Sequence, residues 1–169
     1  LYVYAEMVAN QGLITTLQAS VWSNFVTDSP VDVNALVIDS DGEVFIGGGF
    51  NIVGECWSGC VSIAQFNGSM WNPLGEHGRG PDGYPAALAV APNGDIYLGG
   101  FFEQVGTCTD CWRVVRWDGT RWHPVGSYPH PLHEVTVMAF DSAGNLYAVG
   151  FGGVSKWDGS VWNFLGAAI

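Results

Sequence analysis

Positive charge is scarce in this sequence. Of its 169 residues only 5 are Lys or Arg, against 16 Asp or Glu, so the formal net charge is −11. That balance argues against a nucleic-acid partner, because phosphate recognition needs clustered Lys and Arg. It argues equally against a peripheral protein of anionic membranes. Charged residues of both signs reach only 12%, roughly half the share usual for a soluble domain. Long apolar runs are missing as well: none reaches the ~18 residues that suggest a transmembrane helix. A G-x-S-x-G serine motif is absent. The only glycine clusters open no helix, so none reads as a phosphate cradle. Convincing helical periodicity is found nowhere.

What is present is apolar, glycine-rich and aromatic. The hydrophobic share is 48%, with 24 Gly and 8 Trp. Such a chain can bury a sizeable core and is not disordered. Its length fits one domain of ordinary size.

The sequence also repeats, at a period of about 50 residues. Ala35–Gly42 matches Ala87–Gly94 and Val137–Gly144. Val44–Phe50 matches Ile96–Phe102 and Leu146–Gly152. Phe66–Trp71 pairs with Trp117–Trp122 and Trp157–Trp162, and the units close on Leu74-Gly75, Val125-Gly126 and Leu165-Gly166. The start of the chain fits the same register: Leu1-Tyr2 aligns with Leu146-Tyr147, and Leu17–Trp22 with Trp157–Trp162. The chain therefore reads as three full units and a first one that lacks its opening segment.

Each unit predicts four short strands, A to D. Strand A (Val33–Ile38, Ala86–Val90, Thr136–Phe140) is apolar but for Asn34 and Thr136, as in a strand buried on both faces. Asp41-Gly42, Asn93-Gly94 and Ala143-Gly144 supply tight turns into strand B. Paired glycines in strand B signal close backbone approach to a neighbouring sheet. Asn67-Gly68, Asp118-Gly119 and Asp158-Gly159 are hairpin turns from C to D. Pro73 and Pro124 occupy the same place in strand D. Proline cannot donate to a ladder, so D is expected at a sheet edge. Antiparallel units of this kind describe an all-β fold, the β-propeller built from four-stranded blades. The blades fall at about 1–27, 31–75, 85–126 and 135–166 of a single repeat domain.

The pattern resembles the kelch and galactose-oxidase-like propeller repeats, and most of all bacterial secreted repeats of the form A-L-A-V-D-x-x-G-x-x-Y-x-G-G-x-F … W-D-G-x-x-W-x-x-L-G. The resemblance covers nearly the whole chain and implies the fold more than an activity. The copper ligands and cross-linked cysteine–tyrosine pair of galactose oxidase have no matching motif here, so no catalytic residue is carried over. The first unit departs most, lacking the Gly pair and the W-D-G turn.

The sequence shows no signal peptide, and a mature or trimmed chain is the expectation. The first blade lacks strand A, and only Ala167, Ala168 and Ile169 follow the last Gly. Three explanations remain open: a longer polypeptide, a neighbouring subunit that covers the edge, or imperfect closure within one chain. An unpaired strand slot is a template for β-augmentation, so self-association at the open first blade is an expected partnership.

Four cysteines form two short pairs, Cys56/Cys60 and Cys108/Cys111, both between strands B and C of adjacent blades. A tetrathiolate zinc site, two local disulfides and a redox pair are the readings. Redox motifs of this spacing usually open a helix in an α/β fold, and disulfides are the expectation. With the acidic, Lys-poor composition they suggest an extracellular or cell-surface protein.

The A–B and C–D turns are tight, whereas the B–C and D–A connections are long. Both long sets emerge on one face of the disc. That face collects Trp57, Trp112, Tyr84, Tyr128, His130, His133 and the cysteine pairs. It is the candidate ligand or partner face. The rings could stack on a glycan or pack beneath the loops. His130-x-x-His133-Glu134 could ligate a metal, and Asp39-x-Asp41-Gly-Glu43 looks like a calcium loop. A solvated loop and a plain hairpin turn account for them, and no metal or other cofactor is expected. Asn67-Gly68-Ser69 is a glycosylation sequon in a position that the turn already explains. The repeated Trp residues read as blade-to-blade core. The sum is a non-enzymatic extracellular scaffold, adhesion module or filament subunit, with a lectin-like propeller or a fragment of a larger secreted enzyme as alternatives.

Overall fold

A computed structural model describes residues 32–75, 79–127 and 131–167. The incomplete unit at 1–27, and with it the expected self-association edge, lies outside the described residues. Those residues contain twelve strands and no helix. They form three antiparallel four-stranded sheets in simple meander order. The first holds β1 (Asp32–Ile38), β2 (Val44–Gly49), β3 (Ile63–Phe66) and β4 (Trp71–Pro73). The second holds β5 (Tyr84–Val90), β6 (Ile96–Phe101), β7 (Val114–Trp117) and β8 (Trp122–Pro124). The third holds β9 (Glu134–Phe140), β10 (Leu146–Phe151), β11 (Gly153–Trp157) and β12 (Trp162–Gly166). Pro73 and Pro124 end the outermost strands, where a missing donor leaves no ladder bond unmade.

The sheets stack face to face about their innermost strands: β5 packs on β1 and β2, and β9 on β5 and β6. Phe45, Ile63 and Leu74 of the first sheet meet Leu88, Leu98, Val115 and Trp122 of the second. Ala87, Ala89, Val114 and Val125 of the second meet Val135, Met138 and Leu146 of the third. Strand alternation sends one set of side chains forward and the other back, so every sheet is lined on both faces.

The glycine pair of strand B does two jobs. Gly99 faces the neighbouring sheet, where an added Cβ would come 2.8 Å from Val135. Its partner Gly100 faces strand A of its own sheet: a Cβ would stand 2.2 Å from the Tyr84 carbonyl oxygen. Gly48 and Gly150 repeat that contact at 1.9 and 1.6 Å. The ladder between A and B shifts register at this point in each sheet. Close approach to the neighbouring sheet is thus correct for the first glycine, and the second serves a bulge within its own sheet.

The C–D turns are built by one side chain each. Asn67, Asp118 and Asp158 each accept, through Oδ1, the N–H groups two and three residues ahead at 2.9–3.0 Å. The Thr120 hydroxyl, His123 and the N–H groups of Arg121 and Thr120 hold the Asp118 carboxyl well below the usual carboxylate range. Asn145 does the same for Asp141 in the third A–B turn, and the Val161 and Ser160 N–H groups for Asp158. Folding therefore weakens proton binding at these groups. The stability they contribute is present above the ordinary carboxylate pKa, about 3.9, and is lost as pH falls below it. Thermal unfolding followed from pH 7 down to pH ~3 is expected to show a falling midpoint below pH ~5. In Asp118→Asn that fall becomes shallower while the turn persists, since Asn67 builds the same turn in the first sheet. A slope unchanged by this substitution would contradict the assignment.

Candidate functional site

Strand direction places the start of strand A and the end of strand B at one rim, beside the long B–C and D–A loops. The cross-strand pairs there are Asp32 and Gly49, Tyr84 and Phe101, and Glu134 and Phe151. Opposed residues in an antiparallel pair send their side chains to the same side. Tyr84, Phe101 and Phe151 are all exposed, Phe151 at 74%. Gly49 takes the position filled by Phe101 and Phe151, which leaves open space beside Tyr84: a Cβ on Gly49 would only just touch Tyr84 and Asp32. The Tyr84 hydroxyl donates to Asn34 Oδ1 at 3.3 Å, and Asn34 Nδ2 donates to the Pro85 carbonyl at 3.1 Å. His133 meets the Phe151 ring edge-on at 6.0 Å. Arg113 lies over Phe101 and Trp112.

The loops above this rim are pinned covalently. Cys56 is bonded to Cys60 and Cys108 to Cys111. Cys60 and Cys111 are fully buried, so each bridge anchors its loop in the core, Cys111 in the cluster shared by the first and second sheets. The zinc and redox readings of the cysteines give way to two local disulfides. Trp57, between Cys56 and Cys60, is 74% exposed. Trp112, directly after Cys111, is half-buried. The predicted face residues are therefore split. Tyr84, Trp57 and His133 are presented to solvent, Trp112 partly so, and Tyr128 and His130 lie outside the described residues.

Among the described residues no group of His, Cys, Asp or Glu is arranged to hold a metal ion. The Asp39 carboxylate turns inward to accept the N–H groups of Asp41 and Glu43, as a hairpin turn requires. Asn67 spends Oδ1 on its turn. Phe101, Phe151, Arg113 and Asn34 were not singled out by sequence. Their one visible signal was the repeat alignment, in which Phe101 and Phe151 stand where Gly49 stands.

No protein-family model matches the sequence, and no curated protein matches it. Solved structures do. A catalytically inactive virginiamycin B lyase from Staphylococcus aureus, with quinupristin, is similar at a TM-score of 0.50 and 16% identity. The likeness covers 82% of this chain and 42% of that one. This is a β-propeller fold. A fucose lectin from Kordia zhangzhouensis, in complex with methyl-fucoside, is similar at a TM-score of 0.44 and 14% identity, over 79% of this chain and 99% of that one. The chain spans less than half the length of the lyase structure. The three sheets are blades of the propeller, and nothing in these likenesses separates the kelch and galactose-oxidase-like group from other propellers. One expectation is corrected: the chain was read as a non-enzyme because no catalytic motif is legible. An enzyme carries this fold, and a propeller assembles its sites from loops of separate blades, so a missing linear motif does not assign the chain to the non-enzymes.

Proposed function

We propose that this chain is an extracellular propeller scaffold of the kelch-like type, a subunit of a surface assembly, joined to its neighbour through the open face of its last blade. The observation that carries this is a comparison of equivalent positions. Leu74 and Val125 are buried against the next blade, whereas Leu165 in the same position is 56% exposed. Ala87 is buried, and its equivalent Val137 is 56% exposed. Ala139 is exposed beside them, and Tyr147, Val149 and Val154 are half-buried. A face of this composition, lined like the two that are covered, fits a further blade. The expected partner edge of the first blade lies outside the described residues, and the last blade supplies a described surface for the same role. The two disulfides support an oxidising, extracellular setting.

Light scattering coupled to size exclusion tests this. The expected result is a species of at least twice 18.1 kDa, reduced to the monomer in Leu165→Asp with the circular dichroism spectrum unchanged. A wild-type monomer at high micromolar concentration would remove the reading. A second reading, a carbohydrate-binding propeller, is favoured by the exposed rings of Trp57, Tyr84, Phe101 and Phe151 on the loop face. Open aromatic faces of this kind present apolar area beside polar groups.

A further inference from the structure

Cations are few here, and most of those described have plain surroundings. Arg116 is paired with Asp95 at 2.8 Å, and Lys156 lies over Tyr147. Arg113 is held differently. Its guanidinium lies 4.2 Å over the Phe101 ring and 5.9 Å from that of Trp112, and Nη1 donates to the Phe102 carbonyl at 2.8 Å. Among the described residues no carboxylate stands within ion-pair distance of it. Its other guanidinium N–H donors carry no ion pair among the described residues, and the ring beneath them, Phe101, is exposed.

The backbone of Arg113 is also strained. Its φ is +59°, in the left-handed region, and the equivalent position is Ser62 at +61° in the first sheet and Gly153 at +135° in the third. Glycine occupies such a conformation freely, and a long side chain does not. The third blade shows that the fold accepts glycine here. The first blade shows that it accepts serine, so the backbone position by itself does not select arginine.

We infer that Arg113, with the rings of Tyr84 and Phe101, forms a subsite for a carboxylate-bearing sugar ring of the hexuronate class. The inference rests on the carbohydrate reading of the loop face. The guanidinium fork matches a carboxylate in shape and charge, and stacking on Phe101 keeps it oriented. Tyr84 and Phe101, directly opposed across β5 and β6, offer the apolar platform on which a pyranose ring lies. The Tyr84 hydroxyl and Asn34 amide stand beside them for the ring hydroxyls. A chain of net charge −11 repels anions in general; Arg79, Arg121 and Lys156 also lack a carboxylate partner among the described residues, and what sets Arg113 apart is that it lies against an exposed ring.

The test is a titration of the full chain, labelled with nitrogen-15, with methyl glucuronide and with neutral methyl glucoside, read by amide and indole shifts. Wild type is expected to bind the glucuronide about tenfold more tightly, a charge-assisted hydrogen-bond preference. Arg113→Gly is expected to lose that preference with spectral dispersion intact, and Arg113→Lys to keep part of it. Equal binding of the two sugars by wild type, or a preference that survives Arg113→Gly, overturns the assignment to Arg113 and leaves the carbohydrate reading standing. Shifts with neither sugar overturn both. Shifts with an acidic peptide alone overturn both in favour of a peptide ligand.

Discussion

Gly100→Ala is expected to destabilise the protein by about 3–5 kcal/mol, at the upper end of what single substitutions do. The added methyl would lie 2.2 Å from the Tyr84 carbonyl oxygen and 2.9 Å from the Pro85 Cα, and both are backbone atoms. A flexible side chain could swing away, but here strand A itself must move. That strand is the innermost of its blade, and its side chains line both neighbouring interfaces, with Leu88 in one and Ala87 and Ala89 in the other. For a domain of this size the loss corresponds to a fall of about 10 °C in the unfolding midpoint. Gly47→Ala is the matched control. Its Cβ would meet only side-chain atoms of Leu88, Leu98 and Pro85 at 3.6–3.7 Å, so a change within about 1 kcal/mol is expected. Urea unfolding of both variants decides the matter. Equal effects would mean that the bulge is not what demands glycine.

Trp122→Ala should have an effect of similar size, about 3–5 kcal/mol. The indole is buried at the interface of the first and second blades, tilted against Trp117 with ring centroids 5.2 Å apart. It also rests on Gly75 at the end of the preceding blade, where a Cβ would come 3.0 Å from Nε1. Deletion leaves a cavity bounded by two sheets that are each held by their own ladders, so collapse around it is poor. Trp162 repeats the arrangement on Gly126, and its Nε1 donates to the Val125 carbonyl at 2.8 Å. It is only half-buried, so Trp162→Ala should be the milder change. Reversal of that order would argue against the last blade's open face.

Strand existence, order and turn positions were legible because they are local and repeated. The apolar strand A runs, the Asn-Gly and Asp-Gly turns and the two D-strand prolines each act within a few residues. The predicted strands Val33–Ile38, Ala86–Val90 and Thr136–Phe140 correspond to Asp32–Ile38, Tyr84–Val90 and Glu134–Phe140. Each begins earlier because the rim pairs of Asp32, Tyr84 and Glu134 extend the ladder past the bulge. Uniform burial of strand A is approached only in the second sheet; in the first it is half-buried, and it fails furthest in the third. Val137 and Ala139 are exposed there, because burial on two faces needs a neighbour on two sides.

The candidate site was legible only in outline. Loop lengths and strand direction located the face, and Trp57 and Tyr84 are exposed on it. Nothing in the sequence marks Arg113, since a left-handed backbone and a ring beneath the guanidinium leave no trace in composition or spacing.

By itself the sequence determined the antiparallel blades, the tight turns and the outermost place of the proline strands. Those follow from chain geometry over short distances. Only the tertiary structure decided which cysteine reading holds, which glycine meets a neighbouring blade and which meets its own, why Gly75 and Gly126 lie beneath the next blade's tryptophan, and which rings stay in water. The contacts between blades join residues roughly 35 to 50 positions apart, and their outcome depends on how blades stack, which no local pattern records.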